Sequence, residues 1–457
     1  MKNKYSVPAH VLPALLTAFL FLITSCSAPE ASPESESLTA TGYNSGFEQA
    51  GSTWNSLSAA SDGKIYYSFS TTDIDQGAQF FSFDPETENT EMLADLTEVT
   101  DGIEVPAIPQ GKSHGNFYEM DGKLYISTHV GVHGSVQDGE VALEREGYEP
   151  YPGGHFLSYD LSTGEFEELA LAPENEGILS MTMDRERGHI YGITWPRGHF
   201  IHYDVEADEL KDLGLISGRG EAGTPGDDFR VLCRSLFVDP ADGTVYFSTA
   251  DGDIFSYNPS SESVNLVEGV DLRLDYFGEQ DPTRPGSMGY GWRQIVWHPS
   301  SEAAYGTHGD TGYLFRFDPR EPSVEIVERI VSEPSRKSGM ADQHYYGYLG
   351  FELGPDGETL YFLTGGPYEV DGQRVTNDNA EELGYPGETE NLHLVTYNIP
   401  NEEYIDHGPI FDSNGSRVTH THAITVDGNG SVYLLGQLDR NGEREMDLIR
   451  IQDPLAN

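Results

Sequence analysis

One unit of sequence returns seven times between residues 52 and 453. In each copy a Tyr-bearing strand follows a tight turn, most often Asp-Gly: DGKIYYSFST (62–71), DGKLYISTH (121–129), DGTVYFSTA (242–250), NGSVYLLGQ (429–437). A third strand then ends in an aromatic residue followed by Asp or Asn, as in FFSFDPETE, HFLSYDLSTGE and IFSYNPSSES. A repeat of roughly 50–65 residues describes stacked or radial units rather than one long sheet. Four short strands per unit, joined by tight turns, describe a β-propeller blade. The chain therefore reads as all-β: a seven-bladed β-propeller of four-stranded antiparallel blades, filling residues 41–457 with no second module. The last unit has no fourth strand after LIRIQDP. An open sheet edge invites aggregation, so a segment near 39–50 is expected to close the ring.

The N-terminus stands apart. Lys2 and Lys4 precede an apolar stretch, Val11 to Ile23, that is too short to span a bilayer. It ends Ile23-Thr24-Ser25-Cys26, which looks like a bacterial lipobox. Residues 1–25 read as a lipoprotein signal peptide, Cys26 as the lipidated residue, and the Pro, Glu and Ser-rich stretch 26–40 as a disordered tether. The expected location is the cell envelope, at the outer membrane or shed from it, with membrane contact only through the lipid. Basic residues number 26 and acidic ones 76, a formal charge of −50. Such a balance argues against nucleic acid and anionic membrane as partners and suits a saline habitat. After processing, Cys233 is the one thiol left, so no disulfide framework is expected. Nothing in the pattern calls for more than a monomer.

The long connections fall on one face. Strand-to-strand turns of the DG and DPETE kind are short, whereas 130–153, 214–231, 267–291, 332–347 and 365–391 are long. Long loops on a rigid scaffold are where function concentrates. On the strands that would line the channel, leucine stands at Leu57, Leu179 and Leu349, but Asn116, Arg234, Arg293 and His422 stand at the matching places. His114 and His420 lie on the same strand faces, two residues nearer the mouth. His155 and His199 both sit in Gly-His-Phe and read as repeat structure; the recurring tyrosines read as core. A guanidinium in place of a leucine needs a carboxylate, phosphate or sulfate partner, or water. An internal Asp or Glu could fill that need.

The sequence shows no Gly-rich phosphate loop and no HExxH or CxxC metal spacing. Cys233 adjoins Arg234, but neighbours on a strand point to opposite faces, so a cysteine nucleophile has little support. Dense Arg and His without a nucleophile suits an anionic polymer. Elimination from a uronic acid needs a cation to neutralise the carboxylate, a base for the α-proton and an acid for the leaving oxygen. Here KSHGNFYEMDGKLYISTHVGVHG supplies His114 with His129 or His133, VLCRSLFVD supplies Arg234, and GWRQIVWHP supplies Arg293. In this plan the chain resembles the seven-bladed polysaccharide lyases that cleave ulvan, a sulfated rhamnose–uronate polymer. The resemblance implies His114 as one half of the acid/base pair, His133 or a tyrosine as the other, and Arg234 and Arg293 as the carboxylate clamp. It also implies a catalytic tyrosine, for which Tyr191, Tyr246 and Tyr345 are open. Asn116, His129, Tyr191, Trp292, Tyr345 and His422 are the expected substrate contacts. The chemistry needs no cofactor; a structural divalent metal such as zinc would be held by Cys233, His308 and His344. Two rivals stand beside this reading. One is a metal-dependent lyase on oligogalacturonate. The other is a non-catalytic lipoprotein that binds glycan or protein through Trp195, Trp292 and Tyr345.

Overall fold

Each repeat builds its turns for a local reason. The glycine of the tight turn adopts a left-handed backbone, with φ of 85° at Gly63, 76° at Gly122, 78° at Gly243 and 86° at Gly430. Glycine reaches that region without a Cβ clash. At the end of the third strand, an Asp or Asn side chain accepts the next backbone N–H groups. Asp84 accepts from Glu86, Asp160 from Ser162 and Thr163, Asp204 from Glu206 and Ala207, and Asn258 from Ser260. These Asx turns send the chain into the fourth strand.

The computed structural model describes residues 37–456 except 72, 101–106, 132–135, 138–139, 142, 310, 334–335, 337–349, 367–368, 371–372, 375–390 and 441–442. Strands make up 52 % of the chain and helices 3 %, so the fold is all-β. Among the described residues, four sheets have four strands each in order. They run from Tyr118–Met120 to Phe166–Leu171, Gly177–Asp184 to Glu209–Leu215, Phe237–Val238 to Ser263–Asp271, and Trp292–His298 to Ser323–Arg329. In the first of these the chain order is Tyr118–Met120, Lys123–Ser127, His155–Asp160, Phe166–Leu171, and every neighbour is antiparallel. Ahead of them, Ile65–Thr71 pairs with Gln79–Asp84 on one side and with both Ala50–Ser52 and Leu57–Ala59 on the other.

The last sheet has eight strands in two four-stranded halves. One half runs from Phe351–Leu353 to Glu403–Asp412; the other joins Val418–Val426, Ser431–Arg440 and Glu443–Gln452 to Leu38–Asn44. Leu38–Asn44 lies antiparallel to Glu443–Gln452, with Thr41 opposite Arg450. It also meets Glu403–Asp412 through a short parallel ladder from Leu38–Ile410 to Ala40–Asp412. The segment expected to supply the missing strand does so. It begins inside the stretch assigned to the tether, because Ala40 packs at 2 % exposure into the core that holds Ile410 and Ile451. Residues 35–457 form one compact unit. The signal stretch and Cys26 lie outside the described residues.

The recurring tyrosines are packing groups. Tyr67, Tyr191 and Tyr433 are fully buried among Phe and Leu side chains between neighbouring sheets. The first strands carry β-bulges near one end. Ile178 pairs with Thr194 and Ser180 with Ile193, which leaves Leu179 as the extra residue. Trp292 pairs with His308 and Gln294 with Thr307, which leaves Arg293 in that place. Between the pairs Thr419–Gln437 and Ala423–Leu435, residues 420–422 face Gly436 alone. A bulge re-aims the side chain it carries, so Arg293 and His422 leave the regular alternation of their strands.

Candidate functional site

The inner edges of the sheets meet at a cavity of about 610 Å³. Its wall is drawn from seven stretches: 55–58, 116–118, 182–186, 235–240, 294–299, 350–353 and 422–424. Asn55, Asn116, Gln294 and His422 are among its polar lining, and Gln294 Nε2 donates to Asn55 Oδ1 at 3.2 Å.

From His422 a continuous series of contacts crosses from one repeat to the next. The His422 ring stacks on Trp54 at 5.1 Å and 7°. Trp54 stacks on His114 at 4.5 Å, and His114 lies 5.9 Å from His129. The His129 ring is 5.2 Å from Trp195, whose Nε1 donates to Glu221 Oε2 at 2.9 Å. Glu221 Oε1 accepts from Arg234 Nη2 at 2.6 Å and from Leu232 N at 3.1 Å. Lys112 Nζ sits 4.6 Å from the Trp54 ring centre, a cation–π contact. Arg293 is close enough for its charge to act on His114. The structure thus gathers His114, His129, His422, Arg234 and Arg293, with Trp195 of the binder reading, and adds Lys112, Trp54 and Glu221, which the sequence motifs did not assign to the site.

Backbone geometry sets these side chains. Lys112 and His129 exchange backbone hydrogen bonds, at 3.1 Å from Lys112 N to His129 O and 2.7 Å in return. His129 Nδ1 lies 2.9 Å from Val130 O. A carbonyl only accepts, so Nδ1 carries the hydrogen and Nε2 is the bare nitrogen. That Nε2 is buried with no hydrogen-bond partner among the described residues, and so is His114 Nδ1. The ring lies so close to Gly177 that a Cβ there would meet it at 2.8 Å. His422 Nδ1 turns to Thr53 O and, at 3.3 Å, to Thr53 Oγ1.

The cluster is dry and cationic. His129 and Arg293 are 1 % exposed and His114 is 2 %, whereas Lys112 and Trp54 are only partly covered. Burial holds His114 well below the ordinary histidine range, and the charges of Lys112, Arg234 and Arg293 press the same way. His129 is lowered well below that range by burial and by Lys112 and Arg234, against the bond to Val130. Lys112 falls to about 7, through burial first and Arg234 second, with Glu221 opposing. The Arg234–Glu221 pair therefore acts on its neighbours as a net cation. Near neutral pH the two imidazoles are neutral, while the amine of Lys112 stands at its own midpoint.

Several expected residues lie elsewhere. Trp292 is fully buried, donates from Nε1 to Ser235 O at 2.7 Å and packs in the core with Phe237 and Phe315 rather than in the cluster. Tyr191 is fully buried and stacks on His202 at 4.7 Å, within the core that holds Phe200 and Phe247 rather than in the cluster. Two residues of the expected metal set, Cys233 and His308, have other partners. Cys233 Sγ, buried, donates to Ser235 O at 3.0 Å. His308 uses both ring nitrogens, Nδ1 with Thr311 Oγ1 and Nε2 with Gly289 O, each at 3.0 Å. Among the described residues no three His, Cys, Asp or Glu side chains gather as metal ligands. His133, His344 and Tyr345 lie outside the described residues. Lys112 stood in the same KSH run as His114, and Glu221 in the long 214–231 loop, so position near the mouth was the available signal for both.

Against known proteins, the chain matches no family model and no curated protein.

Proposed function

We propose that this chain is a polysaccharide lyase that cleaves a sulfated, uronate-containing polymer of the ulvan kind by β-elimination, on a seven-bladed propeller closed by Leu38–Asn44. The observation that carries the reading is the cluster of Lys112, Arg234 and Arg293 around two neutral imidazoles, in a chain whose formal charge is −50. In an acid-coated protein, a cationic site is a place for an anion. Arg293 and the Glu221-oriented Arg234 meet the uronate carboxylate. Neutralising that group makes the α-proton removable. The imidazoles of His114 and His129 line the sugar, and Trp54 offers it an apolar surface.

A second reading is a glycan-binding surface protein without turnover. The depth of His129 and Arg293, each 1 % exposed, favours it, because a buried group reaches a polymer only after a rearrangement. The two readings part in one assay. Ultraviolet absorbance of the unsaturated uronyl product is followed with ulvan, oligogalacturonate and alginate, with and without chelator. A chelator-insensitive rise with ulvan supports the lyase. Retention of the polymer with no rise from any substrate replaces it with the binder. A rise with oligogalacturonate that chelator abolishes replaces it with a metal-dependent lyase.

A further inference from the structure

The base that elimination requires is the least obvious part of the site. His114 and His129 have the expected chemistry and the wrong environment. Both are sealed from water, and Lys112 and Arg234 oppose a positive charge on each, with Arg293 adding to the effect on His114. An imidazole that resists protonation is a weak base, and the efficiency of proton transfer follows basicity.

Lys112 differs in geometry. It is partly open, its Nζ is held over Trp54 at 4.6 Å, and its backbone is locked to His129 by two hydrogen bonds. We propose that Lys112 is a catalytic residue of the elimination, taking the α-proton of the uronate as a neutral amine and returning it, as ammonium, to the departing oxygen. This rests on the lyase reading above. The nitrogen lone pair forms the new N–H bond, and the C–H electron pair becomes the carbon–carbon double bond. The β-carbon–oxygen bond breaks, and its electrons stay on oxygen, which takes the proton from Lys112. Products are an unsaturated uronyl end and an alcohol; no oxidant, reductant or water enters.

The surroundings fit that task. The charged and titratable groups facing the amine are Arg234, Glu221, His114 and His129. Burial first and Arg234 second, with Glu221 opposing, bring Lys112 to about 7, so neutral amine and ammonium are both populated near neutral pH. The two histidines stay uncharged and do not compete for the proton.

The test follows kcat and kcat/KM against pH for wild type, K112R and K112M on the polymer that wild type cleaves, with polymer binding and melting temperature measured alongside. Wild-type kcat/KM is expected to rise with a single proton loss centred near 7. Both variants are expected to lose about 100-fold or more in kcat, bind polymer within a few-fold of wild type, and melt no lower. Arginine keeps the charge but gives up no proton, so its failure separates proton transfer from anion binding. If K112R keeps kcat within a few-fold of wild type, or the limb near pH 7 persists in it, the assignment to Lys112 is overturned and the lyase reading stands. If wild type turns over no uronate polymer, both are overturned.

Discussion

Histidine occurs in two settings here, and the contrast shows what makes the cationic cluster unlike the rest of the molecule. At the start of third strands, His155 meets Glu168 at 3.0 Å, His199 meets Asp212 at 2.9 Å and His393 meets Asp406 at 2.9 Å. Each pair joins third strand to fourth at the same sequence separation of 13 residues. In the first sheet Gln79 does the same job with Asp95 at 2.8 Å. These are clasps: every histidine has a carboxylate, and the repeat brings it. In the cluster, His114 faces Lys112, Arg234 and Arg293 instead, and His129 faces Lys112 and Arg234. Glu221 there accepts from Arg234 and Trp195 rather than from a histidine. The same side chain is structural where the repeat supplies an acid and neutral where it supplies cations.

The comparison breaks most sharply at Glu221. Glu221→Gln leaves Arg234 buried without its anion, and breaking such a pair costs about 3–5 kcal/mol. Urea unfolding should show that loss, whereas a loss near zero would mean that another group holds the guanidinium. In the clasps the deepest pair is His393–Asp406, at 5 % and 3 % side-chain exposure. Burial alone would raise Asp406, but His393 and the N–H groups of Glu333 and Gly408 hold it below the usual carboxylate range. Asp406→Asn should cost about 1.5–3 kcal/mol at neutral pH. A carboxyl lowered by folding contributes its full stability above the unfolded value and loses it as pH falls through the folded one. The gap between wild type and variant should therefore close in acid; a pH-independent gap would place the loss in packing.

Gly177→Ala sharpens the other side. Its Cβ enters the His129 ring at 2.8 Å, so the ring must shift. About 1–3 kcal/mol should be lost, with a fall in turnover that the clasp variants lack. The smallest effect belongs to His199→Ala. That pair is 20 % and 41 % exposed, and an exposed ion pair contributes about 0–1 kcal/mol. Turnover should be unchanged, and a large loss there would erase the distinction between clasp and cluster.

Much of the scaffold was legible because its causes are local. Turn glycines, Asx residues and alternating apolar strands each act within a few residues, so the hairpins and the closing strand near residue 40 could be read directly. His155 and His199 were legible as repeat structure from their shared Gly-His-Phe. The site was legible only where it replaces a repeat residue, as Arg293 replaces the leucine of the bulge that carries Leu179. Lys112, Trp54, Trp195 and Glu221 replace nothing. Their partners come from other repeats, as with Trp54 and His422, and no local pattern records such a meeting. Trp292 misled because it adjoins Arg293; the bulge parts the two, sending the indole into the core and the guanidinium to the cluster.

Whether the cationic cluster grips a uronate is decided most directly by the initial rate of unsaturated uronyl formation from ulvan by wild type and by Arg293→Ala, at saturating polymer and equal folded protein. Removing a charge that stabilises the transition state should lower the rate by about 100- to 1,000-fold. Equal rates for the two proteins would contradict such a grip.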